Sequence, residues 1–409
     1  MIPVAEAIRI VRGESEPLPV ERVGISESLG RVLAHDVVAD SDLPPFNRAQ
    51  MDGYAMRAAD TENATTDAPA RLRVVGEAAA GRGWRGCLQA GEVVRIMTGA
   101  PVPDGADSVQ RVEVTSEQEG GAIVEIERST TPGQFIVERG GEVTAGTVVL
   151  RASETINAAM TAALAAFGYA QVEVSRRPRV VVLATGTELV AVGEQPGADQ
   201  IRDSNSYSLS AYAALAGAVV ERLPFAGDDP AQLMELISTG AERADLLVLS
   251  GGVSMGVYDF TKTALNQLGA EIFFERVALR PGKPTVFARL PEPRRTLVFG
   301  LPGNPVSVSV TFNLFARTAI RAMQGANNPA LVEERAVLGH PVKGALERMS
   351  YLPARLLTDE DGRLVAEPLK WGGSSDFVAF ARATALIIVP PGVTALEVGA
   401  RVQIVRLPG

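Results

Sequence analysis

Two short apolar runs decide the fold: residues 179–186, RVVVLATG, and residues 244–252, ADLLVLSGG. Each is too short for a buried helix and ends in glycine, so each reads as a strand covered on both faces, as in a parallel sheet. Between them lie SNSYSLSAYAALAG, a helix ended by Gly217, the strand VVERLPF, and DDPAQLMELISTG, a helix with Asp229 as N-cap and Pro230 at N1. Downstream come a helix near Asp259 to Leu268, strands EIFFERVAL, TVFARL and TLVFG, and a long helix from about Pro305 to Met323. This alternation predicts an α/β domain over residues 176–326, with a parallel or mostly parallel sheet and right-handed crossovers.

Outward from that domain the periodicity changes. The tail, residues 327–409, holds a DG-containing hairpin, LPARLLTDEDGRLVAEPL, and the strands ALIIVPPG and VGARVQIVRL, which predict a small β-barrel or sandwich. Residues 46–139 are short apolar runs between Gly, Pro and Asp, a β domain. The chain opens with a short amphipathic helix, Val4 to Val11, and strands around a turn, while residues 153–168 have helical spacing with Gly168 at the C′ position. These two helices are expected to pack together, making residues 1–45 and 140–175 one discontinuous domain.

Composition narrows the function. The chain has 409 residues and a formal net charge of −9, which counts against a general nucleic-acid binder. A lone cysteine, Cys87, excludes an intrachain disulfide and a thiolate zinc site, and His35 and His340 are the only imidazoles. Glu6 interrupts what would be the apolar region of a signal peptide, and no stretch reaches the ~18 apolar residues of a membrane span. A cytoplasmic protein without membrane contact is the expectation.

In an open α/β sheet, ligands bind beyond the carboxyl ends of the strands. Five loops should converge there: TGTE (185–188), GDD (227–229), SGGVSMG (250–256), RPGKP (280–284) and LPGNP (301–305). Ser250, Gly251 and Gly252 open a strand-to-helix turn whose N–H groups could bind an anion, or simply make a tight turn. Gly252 to Gly256 also matches G-x-S-x-G, with Ser254 as a hydrolase nucleophile, but that reading requires a histidine and His340 lies in the tail. Glu188, Asp228 and Asp259 could share Mg²⁺, or be solvated loop carboxylates. Arg276, Arg280 and Lys283 bring cations suited to phosphate or another tetrahedral oxyanion, or to surface ion pairs. Pro302 and Pro305 would hold the Gly303 and Asn304 backbone at a helix start, for an oxyanion or as a start signal alone. Asp52 and Thr98 sit in Gly/Pro-rich loops with little intrinsic chemistry.

Together MDGYA, MTGAPVP, ATGTEL, DSNSY, GDDP, SGGVSMGVYDFTK, RPGKP and LPGNPVS, in this order along essentially the whole chain, resemble the molybdopterin molybdenumtransferase family, MoeA and the gephyrin E domain. The resemblance implies a multidomain α/β plus β protein: N-terminal helical and β domains, a central three-layer α/β domain like that of molybdopterin adenylyltransferases, and a C-terminal β-barrel. It implies a homodimer with each cleft between the α/β domain of one chain and the N-terminal region of the other. The implied reaction inserts molybdate into adenylylated molybdopterin with Mg²⁺ and releases AMP, the substrate being handed over by a molybdopterin adenylyltransferase. Carried over by position, the family's acidic residues are Asp52, Glu188, Asp228 and Asp259, its loop threonine is Thr98, and its barrel-loop serine is Ser374. The chain departs at Glu142, where some members have Asp, at Arg276 and Arg280, which replace lysines, and at Pro353, where an arginine is expected with Arg348 or Arg355 as substitutes. Gephyrin relatives that anchor receptors make a non-catalytic scaffold the alternative, and a Ser254 hydrolase the third reading.

Overall fold

The computed structural model describes residues 1–227, 229–252 and 260–408. The chain divides into two compact units: Met1–His35, Ala152–Thr161 and Gln171–Gly409 form one, Asp36–Arg151 and Ala162–Ala170 the other.

The first unit is built on a six-stranded sheet in the order Val219–Arg222, Arg179–Ala184, Leu246–Ser250, Leu297–Leu301, Pro284–Arg289, Glu271–Arg276. Five of the six strands run in one direction and only Pro284–Arg289 runs against them, antiparallel to both of its neighbours, so the sheet is mostly parallel as the pattern predicts. Val180, Val182, Leu246 and Val248 pack in one core with helix Asn205–Leu215 and the helical run from Pro305 to Met323, while Val181, Leu183, Leu247 and Leu249 pack in another with helix Pro230–Ala241. Adjacent residues thus feed opposite cores, which is why these strands read as continuous apolar runs. Register decides where function can sit: Ala184 pairs with Ser250 and Ser250 with Leu301, so three strands end level and their loops leave from one edge.

The N-terminal helix, Val4–Glu14, buries Val4, Ala7 and Val11 in the α/β core. The second helix covers only Ala158–Ala166 rather than all of residues 153–168. The residues before that helix are used otherwise: Ser153 has φ +69°, Thr155 bridges Val32, and the Leu33 N–H donates to the Glu154 carbonyl at 3.0 Å.

The tail is a closed barrel. Met349–Thr358, Leu364–Pro368, Glu333–Leu338, Arg401–Arg406 and Ala385–Val389 pair in turn, and the last returns to the first. The expected hairpin is Met349–Thr358 with Leu364–Pro368, its turn held by the Asp359 carboxylate, which accepts from Asp361 N at 3.0 Å and Arg363 N at 2.7 Å. A short strand of the α/β region, Leu279–Arg280, pairs parallel with Met349 and Ser350, joining the RPGKP segment to the barrel by main-chain bonds.

The second unit contains a six-stranded sheet in the order Ser108–Arg111, Gly53–Met56, Glu92–Ile96, Ala70–Ala78, Ile123–Ile126, Thr115–Gln118. Tyr54, Met56, Val93, Val124 and Ile126 fill one side of it and Ala55, Val94, Ile96 and Val109 the other.

Candidate functional site

Beyond the level strand ends lies a cavity of about 900 Å³. Its walls include Glu188 from the first loop, Ser250, Gly251 and Gly252 from the second, and Pro302 to Pro305 from the third. The glycines are there for close approach. Gly251 has φ +94° and a Cβ on it would stand 2.4 Å from the Thr185 carbonyl oxygen; Gly252 has φ +65° and a Cβ would stand 2.7 Å from Thr261 Oγ1. Asn205, first residue of its helix, ties two loops together: its Nδ2 donates to Ser250 Oγ at 2.8 Å and to the Gly303 carbonyl at 2.7 Å. The preceding Asp203 caps that helix, accepting from Ser206 N at 3.0 Å and from the Ser206 hydroxyl. Pro302 and Asn304 also face a second cavity, of about 780 Å³.

The second cavity carries the cations. Arg280 and Lys283 enter it from the RPGKP loop, Lys343 and Arg348 from the barrel. Ser374 reaches it from the barrel loop, where its Oγ accepts from Asn304 Nδ2 at 2.9 Å and its carbonyl from Val306 N at 3.0 Å. Its described lining contains no carboxylate, and among the described residues none of the four cations forms an ion pair. Cations gathered on one concave surface focus potential, and an opposite charge at ~4 Å is worth roughly 4 kcal/mol at an effective dielectric near 20. An anion is the ligand such a surface takes. Arg276 lines neither cavity; it ends the outer strand of the sheet, in register with Pro284, and is exposed. Pro353 is buried in its barrel strand, and of the two arginines near it Arg348 lines the cavity whereas Arg355 is exposed.

In the second unit, Asp52 and Thr98 meet. Asp52 Oδ1 accepts from Thr98 N at 2.6 Å and from Thr98 Oγ1 at 2.7 Å, and these bonds, the backbone one first, hold its carboxyl below the ordinary carboxylate range. Glu142 Oε1 accepts from Arg48 Nη2 at 2.8 Å. The two pairs share a corner, because Gly99 N donates to the Ala49 carbonyl at 2.9 Å and Ala49 N to the Ala100 carbonyl at 3.0 Å.

Three sequence candidates, Asp228, Ser254 and Asp259, lie outside the described residues. Among the described residues no three His, Cys, Asp or Glu side chains are grouped to hold a metal. His340 sits on the barrel with its Nε2 3.0 Å from Glu367 Oε1 and lines neither cavity. Asn205 and Lys343 are site residues that composition and spacing do not single out. Asn205 lies in the DSNSY segment, and Lys343 has no local signal at all.

Residues 2–168 match the family described as the MoeA N-terminal region, domains I and II; residues 181–322 match a probable molybdopterin binding domain; residues 335–407 match the MoeA C-terminal region, domain IV. A molybdopterin molybdenumtransferase of Bacillus subtilis strain 168 is 35% identical over 99% of this chain and 94% of its own length. The chain belongs to the molybdopterin molybdenumtransferase family. A second molybdopterin molybdenumtransferase, of Nostoc sp. PCC 7120, is 37% identical over 95% of this chain and 89% of its own. The crystal structure of the molybdopterin biosynthesis moeA protein from Pyrococcus horikoshii OT3 superposes with a TM-score of 0.86 at 27% identity, covering all of both chains. Among the described residues no helix is long and apolar enough to cross a membrane.

Proposed function

We propose that this protein is a cytoplasmic transferase that inserts molybdenum from molybdate into adenylylated molybdopterin, releasing AMP and forming molybdenum cofactor. The observation that carries the reading is the pair of adjoining cavities around Pro302 and Asn304, one walled by backbone and polar groups at the strand ends and the other by four cations. A pterin phosphate and a tetrahedral oxyanion are two different ligands, and the loop shared by both cavities brings them together. That is catalysis by placement, which can supply several powers of ten in rate without a nucleophile.

In this reading Arg280 and Lys283 hold the molybdate oxygens, with Ser374 and Asn304 donating beside them. Ser250, Gly251, Gly252, Gly303 and Pro305 shape the backbone against the pterin substrate. Glu188, with Asp228 and Asp259, is assigned to Mg²⁺, which when bound would neutralise the phosphoanhydride. Asp52, held by Thr98, together with Glu142 and Arg276 completes the charged set, and a homodimer would bring the Asp52 loop of one subunit to the cleft of the other. A molybdopterin adenylyltransferase is the substrate donor. Residues 1–45 with 140–175, 46–139, 176–326 and 327–409 remain the proposed evolutionary domains.

The test mixes purified protein with adenylylated molybdopterin, Mg²⁺ and molybdate, then adds an apo-molybdoenzyme. Molybdate-dependent activation is expected, and it should fall at least tenfold in Glu188→Gln. Tight pterin binding without any activation would favour the non-catalytic scaffold, and labelling of Ser254 by a fluorophosphonate the hydrolase.

A further inference from the structure

We infer that Asn205 is a positioning residue that couples the two cavities, so that a pterin ligand at the strand ends and an oxyanion beside the barrel tighten each other's binding. The inference rests on the transferase reading and adds to it an interaction between its two ligands.

Three observations carry it. First, one side chain stands between the two ligand loops. Asn205 Nδ2 uses both of its hydrogens, one on Ser250 Oγ at 2.8 Å and one on the Gly303 carbonyl at 2.7 Å. The Gly303 carbonyl can only accept, which fixes the nitrogen of the amide on that side. That carbonyl belongs to the peptide group whose nitrogen is Asn304, and Asn304 Nδ2 in turn donates to Ser374 Oγ at 2.9 Å. Ser250 and Gly303 line the first cavity, Ser374 the second and Asn304 both, so the bonds run from one ligand space to the other.

Second, the framework on either side of the amide is fixed. The Asp203 N–H donates to the Val190 carbonyl at 3.0 Å, the Asp203 carboxylate caps the helix through Ser206 N, and the Ser208 hydroxyl donates to the Asn205 carbonyl at 3.0 Å. Across the gap, Pro302 and Pro305 restrict the Gly303–Asn304 loop, and Val306 N donates to the Ser374 carbonyl at 3.0 Å. The side-chain amide is the part left to change its setting.

Third, that amide is short of a partner. Asn205 Oδ1 is buried and finds no donor among the described residues. A buried acceptor without a donor is destabilising, so this setting has a competitor. Turned over, Oδ1 would accept from the Ser250 hydroxyl but would put an oxygen against the Gly303 carbonyl and lose that bond. What separates the two settings is the direction of the Ser250 hydroxyl, and a ligand decides it. A pterin carbonyl or phosphate oxygen that accepts the Ser250 hydrogen leaves Oγ only as an acceptor toward Asn205. The setting that holds Gly303 is then selected, and Asn304 and Ser374 are held for the oxyanion. Two settings biased by two ligands make their binding mutually favourable, by the same factor in both directions.

The test uses the full-length protein with molybdopterin lacking its adenylyl group and with inorganic sulfate, a tetrahedral dianion that cannot be inserted. Molybdopterin affinity is read from pterin fluorescence with and without saturating sulfate, and affinity for radiolabelled sulfate by equilibrium dialysis with and without molybdopterin. In wild type each ligand should tighten the other about fivefold. In Asn205→Ala and in Asn205→Asp, neither of which donates to the Gly303 carbonyl at neutral pH, the factor should fall to about one. Being a ratio within one variant, it is read whatever the separate affinities become, whereas a merely structural role would lower the affinities and leave the ratio. A factor of one in wild type, or sulfate that weakens pterin binding, overturns the coupling without recourse to any variant. A factor unchanged in both variants overturns the role of Asn205. Binding of neither ligand by wild type overturns the transferase reading as well.

Discussion

Asp52 shows what a single side chain contributes. Two donors of Thr98 converge on one of its oxygens, so the charged form is the one held, and its carboxyl titrates below the ordinary aspartate range. By linkage, a depressed carboxylate pKa adds stability that is present above the unfolded pKa and is lost as pH falls through the folded one. Thr98→Val removes the hydroxyl donor and keeps the backbone one, so the Asp52 titration should move up toward, but not reach, the ordinary aspartate range. Carbon-detected NMR of the carboxyl would show this, and an unmoved titration would refute the role given to the hydroxyl. Little of this was legible in the sequence, where Asp52 and Thr98 are residues of two separate loops. The hydrogen bond between them exists because Gly53–Met56 and Glu92–Ile96 pair antiparallel, Gly53 opposite Ile96, which sets the ends of the two loops side by side.

At the level of elements, loops rather than helices carry the site, and their tolerances are tight. Gly282 has φ +111°, and a Cβ on it would stand 2.4 Å from Thr311 Cγ2, on a side chain locked by its own bond to the Ser307 carbonyl at 2.7 Å. Gly282→Ala therefore meets both backbone strain and a clash, and should cost roughly 1–3 kcal/mol in denaturant unfolding, with molybdate affinity falling as the loop shifts. Full stability in that variant would show that the loop has room it does not have here. Strands and helices of the α/β region were readable because burial on both sheet faces writes long apolar runs, and because Asp229 caps its helix as expected, accepting from Ala231 N at 2.9 Å. The segment 153–168 misled for an equally physical reason. Its apolar spacing continues into residues that bond to Val32 and Leu33, so tertiary pairing outweighs helix propensity before Ala158.

Over the whole molecule, one pocket draws residues from both the α/β sheet and the barrel, so a bound oxyanion should tie the two together. Binding only to the folded state adds about 2.7 kcal/mol at a ligand concentration 100 times Kd. Molybdate at that level should raise the unfolding temperature of wild type measurably and that of Arg280→Ala far less, and equal shifts would place the anion elsewhere. The alternation of strands and helices in the α/β region was visible in the sequence, and the tail's strands already predicted a barrel or sandwich; what makes it a closed barrel is the return of Ala385–Val389 to Met349–Thr358 over a long connection. The most direct measurement is AMP release from adenylylated molybdopterin and Mg²⁺ in the presence of this protein, with molybdate added or withheld. Release should rise and saturate with molybdate and be close to nil without it; release of the same size in both samples, or in neither, would contradict molybdate-driven insertion.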